Sequence, residues 1–445
     1  MSTSLNRRWL LIGAAAAALL AGGAHAQDKP LDPALYEKAV AKVKEIVGDA
    51  KLDPTLEYIG GNSGSEGAIK QSLHQAFTDA TGTVVNYTGT GSSAATAAAV
   101  QARLQAGNPP AIADLTLGTA RGLAADGHTL DLSEAVGPEE LANYSATLID
   151  SLTYDGKVYG ITLGFSTFMI WYNPETYTGP NPPQSWADVV KWTEEVAATG
   201  ATPWCMALEA GAGTGFPGTQ WVQILFSKMH GPELLAQWSA GELPWTSPEV
   251  KSAWEAFGAI ATVDANIYGG ARGALSSSIS TGYNGLIADP PTCQAAMWGS
   301  WVPGLIGEGI EEGVNIDFFQ TPSDNPEFAN TEIFNTGATV VLQDNPTSRA
   351  FIKFLASAEA QTLLASANHW AVGNTAVPPE TYSGAMLQKV AATYFRDGVD
   401  LVAPPDIMSI PAVGAAFNRG IGRYLQDPSS LDQILADIQS AAEGE

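Results

Sequence analysis

Cysteine and histidine are scarce in this chain, with two cysteines and five histidines among 445 residues. No two histidines fall at metal-ligand spacing, so no metal site is expected and no cofactor is called for. No nucleophile–base motif is evident. The fragments GTGSS and GAGTG lack the GxGxxG or Walker spacing and context of a nucleotide loop. Basic residues are also few, 21 Lys and Arg against 46 Asp and Glu. A net charge of −25 repels nucleic acid and anionic lipid, so neither is expected as a partner. The same charge disfavours an anionic ligand unless a local basic pocket overrides it. Beyond the N-terminus no run reaches 18 uninterrupted apolar residues, so no spanning helix is predicted.

The one early apolar run, Leu10 to Leu20, follows Arg7 and Arg8 and precedes Ala24-His25-Ala26. That is a positive segment, a short apolar segment and a small-x-small cleavage box. Residues 1–26 read as a signal peptide cleaved after Ala26. Asn6-Arg7-Arg8-Trp9-Leu10-Leu11 also fits a twin-arginine signal, so the secretory and twin-arginine routes both stay open. No cysteine follows the run, so no lipid anchor is indicated. Cleavage leaves 419 residues, with 19 basic against 46 acidic groups, or −27. That length suits two or three domains and an exported, periplasmic protein. Two cysteines in an exported chain, Cys205 and Cys293, read as one disulfide, with two buried thiols as the alternative. Closing so long a loop would stabilise by about 4–5 kcal/mol in the chain-entropy treatment.

Strands and helices alternate along the chain. An amphipathic helix within 28–50 ends at Gly48. Leu56–Ile59, Val84–Tyr87 and Ala111–Leu117 read as strands, each followed by a polar turn and a helix. Ser63 or Ser65 is placed to cap the helix after the first strand. This alternation predicts a mostly parallel sheet with helices on both faces. The stretches near 164–170, 315–321 and 369–376 are extended without attached helices. They read as crossings between two interleaved lobes. Between Pro203 and Trp301 lie both cysteines, most of the twelve tryptophans and several glycine-rich turns. Indoles among small residues suit a flat ligand that stacks on one face and hydrogen-bonds at its edge.

Several stretches then carry a family resemblance. PQSWADVVKW, AAMWGSWVPGLI, NPTSRAFIKFLASAEAQTLL and VGNTAV occur in the order and spacing of the maltose-binding type (family 1) of extracellular solute-binding proteins. The resemblance spans residues 55–440. Within that family, TPWCMALEAGAGTGFPGTQW with Cys293 resembles the alpha-glucoside-binding branch. QAAMWGSW departs from the more basic, His-containing segment expected there. The resemblance implies a type II periplasmic-binding fold of two interleaved α/β lobes with a ligand cleft at a hinge. It implies lobe one from 27–165 and 320–368, and lobe two from 166–319 and 369–445. It also implies a monomer that captures a carbohydrate by closing and delivers it to importer membrane subunits.

Ligands in open α/β sheets sit beyond the carboxyl ends of the strands. That rule selects Asn62, Ser63 and Glu66 after the first strand, and Ser92 and Thr116 after the second and third. Asn335 precedes the returning strand. Phe165 and Ser166 lie on the first crossing, and Trp370 adjoins the last. In lobe two the candidates are Glu209, Trp221, Trp298 and Trp301, the last at a sugar-stacking position by the resemblance. Two other readings stay open. A glycoside hydrolase would need paired carboxyls about 5–9.5 Å apart, drawn from Glu66, Asp114 and Glu209. A polyol, sulfonated or phosphorylated ligand would, if anionic, call on Arg121, Arg272 or Arg349.

Overall fold

The computed structural model describes residues 32–367, 370–394, 398–403 and 411–444. The signal peptide, its cleavage site and His369 lie outside the described residues. The first helix, α1, is Pro33–Val47, capped by the Asp32 carboxylate and stopped at Gly48. The predicted alternation follows as β1 (Thr55–Gly60), α2 (Gly64–Thr81), β2 (Val84–Gly89), α3 (Ser93–Gln105), β3 (Ile112–Thr116) and α4 (Leu117–Ala125). β1 pairs in parallel with β2 and with β3. A hairpin of β4 (Thr153–Tyr154) and β5 (Lys157–Val158) precedes the long β6 (Phe165–Tyr172). β7 (Ala295–Gly299), β8 (Asp317–Phe319), β9 (Thr331–Val341) and β10 (Asp400–Val402) complete the strands.

Alternation within a strand sends neighbouring residues to opposite faces. Tyr58 and Ile112 join a core with Ala39, Val43, Leu73, Phe77 and Phe351. Ile59, Ala113 and Leu115 join the other core, which runs past Phe165 and Ala338 into a tryptophan-rich interior. The second core is therefore continuous through the crossing strands.

β6 and β9 join the two lobes. Phe165, Ser166 and Thr167 pair antiparallel with Thr336, Asn335 and Phe334. The second half of β9 pairs with β3, and its first residues pair with β10. Farther along β6, antiparallel ladders join β7 and β8. The sheet is thus parallel across β2-β1-β3 and antiparallel where the chain crosses. A strand that leaves a lobe and one that returns run in opposite directions, so their ladder is antiparallel.

Two sets of contacts cross the boundaries expected from sequence. Lys228 of the helix Phe216–Ser239 is buried against Glu332 at 2.7 Å and donates to the Ala329 carbonyl. Gln320 donates to the same carboxylate at 2.8 Å. Conversely, Val372, Val377 and Tyr382 belong to the lobe-one core, so the chain does not leave that lobe at 369.

Cys205 and Cys293 form the disulfide, with Cα atoms 5.4 Å apart. The PQSWADVVKW stretch opens the helix Trp186–Ala198. It begins in a capping box in which Ser185 and Asp188 satisfy each other's backbone N–H. No helix of the described residues is long and apolar enough to cross a membrane.

Candidate ligand-binding cleft

A cavity of about 390 Å³ opens at the carboxyl ends of β1 and β3, against the crossing strands. Its floor is a polar cluster around Asp114. The Tyr58 hydroxyl donates to Asp114 Oδ1 at 2.6 Å, and so does the Thr339 hydroxyl at 2.6 Å. The Lys70 ammonium pairs with Oδ2. A Cβ at position 60 would stand 2.7 Å from both that oxygen and the Tyr87 hydroxyl, so only glycine lets the strand pass. Burial and the neighbouring Asp114 hold the Tyr58 hydroxyl well above the usual phenol range. Behind Lys70 on α2, His74 is buried among Tyr58, Tyr87 and Phe351. Neither of its ring nitrogens has a hydrogen-bond partner. Burial, with Lys70 adding repulsion, pushes its pKa down to about 3.

Seven of the residues selected from sequence line this cavity: Asn62, Glu66, Ser92, Thr116, Ser166, Asn335 and Trp370. Asn62 donates to Glu66 at 2.7 Å, and its carbonyl accepts from Tyr87 at 3.0 Å. Ser92 and Thr116 cap α3 and α4, accepting from Ala95 and Thr119 N–H. Asn335 is exposed on the crossing strand, and Trp370 lies over Gly164. The Thr336 hydroxyl bonds the Gly164 carbonyl at 2.6 Å and also meets Thr162. That network ties β9 to the turn before β6, at the cavity edge.

The remaining candidates fall elsewhere. Ser63 sits at the N-cap of α2 but makes no capping bond and does not line the cavity. Phe165 is fully buried and stacks on Phe334 at 5.6 Å. Trp221 is a correction. It is buried inside lobe two against Trp204 and Phe257, and its indole N–H donates to the Met297 carbonyl at 2.9 Å. An indole closed on all sides cannot be a cleft wall. Trp298 is also buried, and its N–H has no partner among the described residues. Phe216 and Trp301 stand edge-on to it, at 5.5 and 5.2 Å. Trp301 is half-buried over Gly299, where any Cβ would strike its ring. Glu209 accepts from the Gly211 N–H at 2.9 Å. None of these lobe-two residues lines the cavity.

Lys70, Thr336 and Thr339 line it and were not selected. Lys70 had a signal. It is the only lysine or arginine of α2 and lies one turn beyond Glu66, on the edge that faces the first strand's turn. Among the arginines considered for an anion, Arg349 is held by both oxygens of Asp344 and Arg121 lies over the Tyr154 ring. Neither these nor Arg272 lines the cavity. Among the described residues no group of three or more His, Cys, Asp and Glu could hold a metal ion.

The profile of the family described as bacterial extracellular solute-binding protein matches residues 72–389. The chain belongs to that family. This solute-binding protein is 30% identical to the alpha-glucosides-binding periplasmic protein AglE of Rhizobium meliloti (strain 1021), over 98% of this chain and 99% of AglE. It is 28% identical to the osmoprotective compounds-binding protein GgtB of Synechocystis sp. (strain ATCC 27184 / PCC 6803 / Kazusa), over 84% of this chain and 89% of GgtB. Among solved structures, a chitin oligosaccharide binding protein superposes with a TM-score of 0.72 at 18% identity, covering 88% of this chain and 98% of that one. The likeness establishes the two-lobed type II binding fold expected from sequence.

Proposed function

We infer that this protein is the substrate-binding component of an ABC-type importer and captures a carbohydrate by closing its lobes. The observation that supports this most is the composition of the cavity wall. It sets two carboxylates, an ammonium, two amides and several hydroxyls beside one indole, at the joint between the lobes. Sugars need that mixture, polar groups for their hydroxyls and an aromatic face for the ring. A micromolar site needs about −8 kcal/mol, which a few satisfied hydrogen bonds and stacked indoles supply once both lobes contribute. The names of the relatives point the same way. The lobes are assigned as 27–165, 335–382 and 166–334, 383–445, with β6 and β9 as the hinge. The protein works as an exported, periplasmic monomer that docks on membrane permease subunits. It acts by binding, not by turnover. Asp114 already accepts three hydrogen bonds, which suits a fixed acceptor better than a general acid.

A small polyol is the second reading, favoured by the relative named for osmoprotective compounds. A thermal-shift screen of mono-, di- and trisaccharides and polyols separates the two, because a ligand of the native state raises the melting temperature. An alpha-glucoside shift that shrinks in Trp301→Ala and Asn62→Ala supports the carbohydrate reading. A shift with polyols alone replaces it, and release of free sugar from a glycoside would overturn the binding-only role.

A further inference from the structure

We propose that Lys70 and Asp114 form a preassembled donor–acceptor pair that reads ligand hydroxyls and selects an uncharged polyhydroxylated compound over its phosphorylated or sulfonated derivative. The proposal rests on the carbohydrate reading and narrows it.

The argument is one of hydrogen-bonding capacity. An ammonium has three donors, and a carboxylate has about four acceptor positions. Lys70 spends one donor on Asp114 Oδ2 and has no other hydrogen bond among the described residues. Asp114 spends two acceptor positions on Tyr58 and Thr339 and one on Lys70. Two donors and one acceptor position are left together at one point of the wall. Both side chains reach the cavity, with 8% and 15% of their surface exposed. Donors so nearly desolvated are costly to leave unmade, so the site favours a ligand that completes them. A hydroxyl donates once and accepts twice, which matches the vacant positions. A phosphate or sulfonate oxygen accepts only. It would satisfy Lys70 and leave the Asp114 acceptor facing a negative charge.

Charge acts in the same direction. Among the described residues the cavity lining holds the carboxylates of Glu66 and Asp114 and the ammonium of Lys70. Lys70 is already neutralised by its partner. The guanidiniums of Arg121, Arg272 and Arg349, which an anionic ligand would call on, lie elsewhere. The pair is rigid, because Tyr58 and Thr339 fix the carboxylate from β1 and β9. Its geometry is set before a ligand arrives.

The test is calorimetric titration of the mature chain with maltose, trehalose, sucrose and N,N′-diacetylchitobiose, and with the 6-phosphates of maltose and trehalose. Lys70→Gln and the double variant Lys70→Gln/Asp114→Asn are titrated in parallel, with melting temperatures recorded. The wild type is expected to bind a neutral glycoside and to bind the phosphates at least about a hundredfold more weakly. Lys70→Gln leaves a buried carboxylate unpaired and is expected to melt earlier. The double variant removes that unpaired charge. It is expected to recover the melting temperature yet bind at least about tenfold more weakly, the cost of lost charged hydrogen bonds. A double variant that binds as the wild type does overturns the proposal, as does equal affinity for a phosphate. A wild type that binds none of the compounds sinks the carbohydrate reading, and the proposal with it.

Discussion

The two lobes are built from opposite materials. Lobe one presents polar groups at strand ends, Asn62, Glu66, Ser92 and Thr116, all lining the cavity. Lobe two contributes aromatics, of which Trp221 and Trp298 are buried while Trp301 and Phe216 keep open surface. The polar wall is a consequence of topology. Parallel strands end on one edge, and each following turn must put its polar cap residue there. The aromatic cluster of lobe two is a consequence of packing. An indole serves equally well as core filler or ligand platform, and only its neighbours decide which.

The sharpest way to break this contrast is to truncate one indole from each class. Trp221→Ala should cost about 3–5 kcal/mol, seen as a lower denaturant midpoint, because it empties a closed core site. Trp301→Ala should cost far less stability and act on ligand affinity. Equal stability losses would erase the distinction between filler and platform.

The hinge gives the next largest effect. Lys228 and Glu332 are each 2% exposed, and they pin the start of β9 to lobe two. Lys228→Met should destabilise by about 3–5 kcal/mol, because it strands a buried carboxylate. Chemical denaturation would read this, and a loss under 1 kcal/mol would mean the pair does not anchor the crossing strand.

A third test sits behind the polar wall. His74 has a folded pKa of about 3, below the 6.5 of an ordinary histidine. Between those values the unfolded chain holds a proton that the folded chain does not. Stability from this group is therefore complete above about pH 6.5 and drains away as pH falls toward 3, at up to about 1.4 kcal/mol per pH unit. His74→Phe should flatten the melting temperature over that window. An unchanged acid slope would show that the imidazole is not kept neutral by its surroundings.

The smallest effect compares the serines at the N-caps of α2 and α3. Ser92→Ala should lose about 1 kcal/mol, because its hydroxyl caps α3. Ser63→Ala should be near neutral in a thermal melt, because that side chain caps nothing. Matching losses would restore Ser63 as a cap.

These contrasts separate what is local from what is not. Caps, turns and hydrophobic period act over a few residues. So the sequence by itself determined the alternation of strands and helices and the stop of α1 at Gly48. The cysteine pair left a disulfide and two buried thiols open, and the structure joins Cys205 to Cys293. The rule that ligands gather beyond strand ends then made the polar wall legible, from Asn62 to Asn335.

Tertiary structure decided the rest. Whether Trp221 faces a ligand depends on Trp204 and Phe257, which no window around Trp221 contains. The start of β9 is held by Lys228, a hundred positions earlier, through Glu332. Asp114 and Lys70 meet only once β1, α2, β3 and β9 have assembled. Pairings between distant segments are fixed by packing and register, and those forces have no signature within a single stretch of chain.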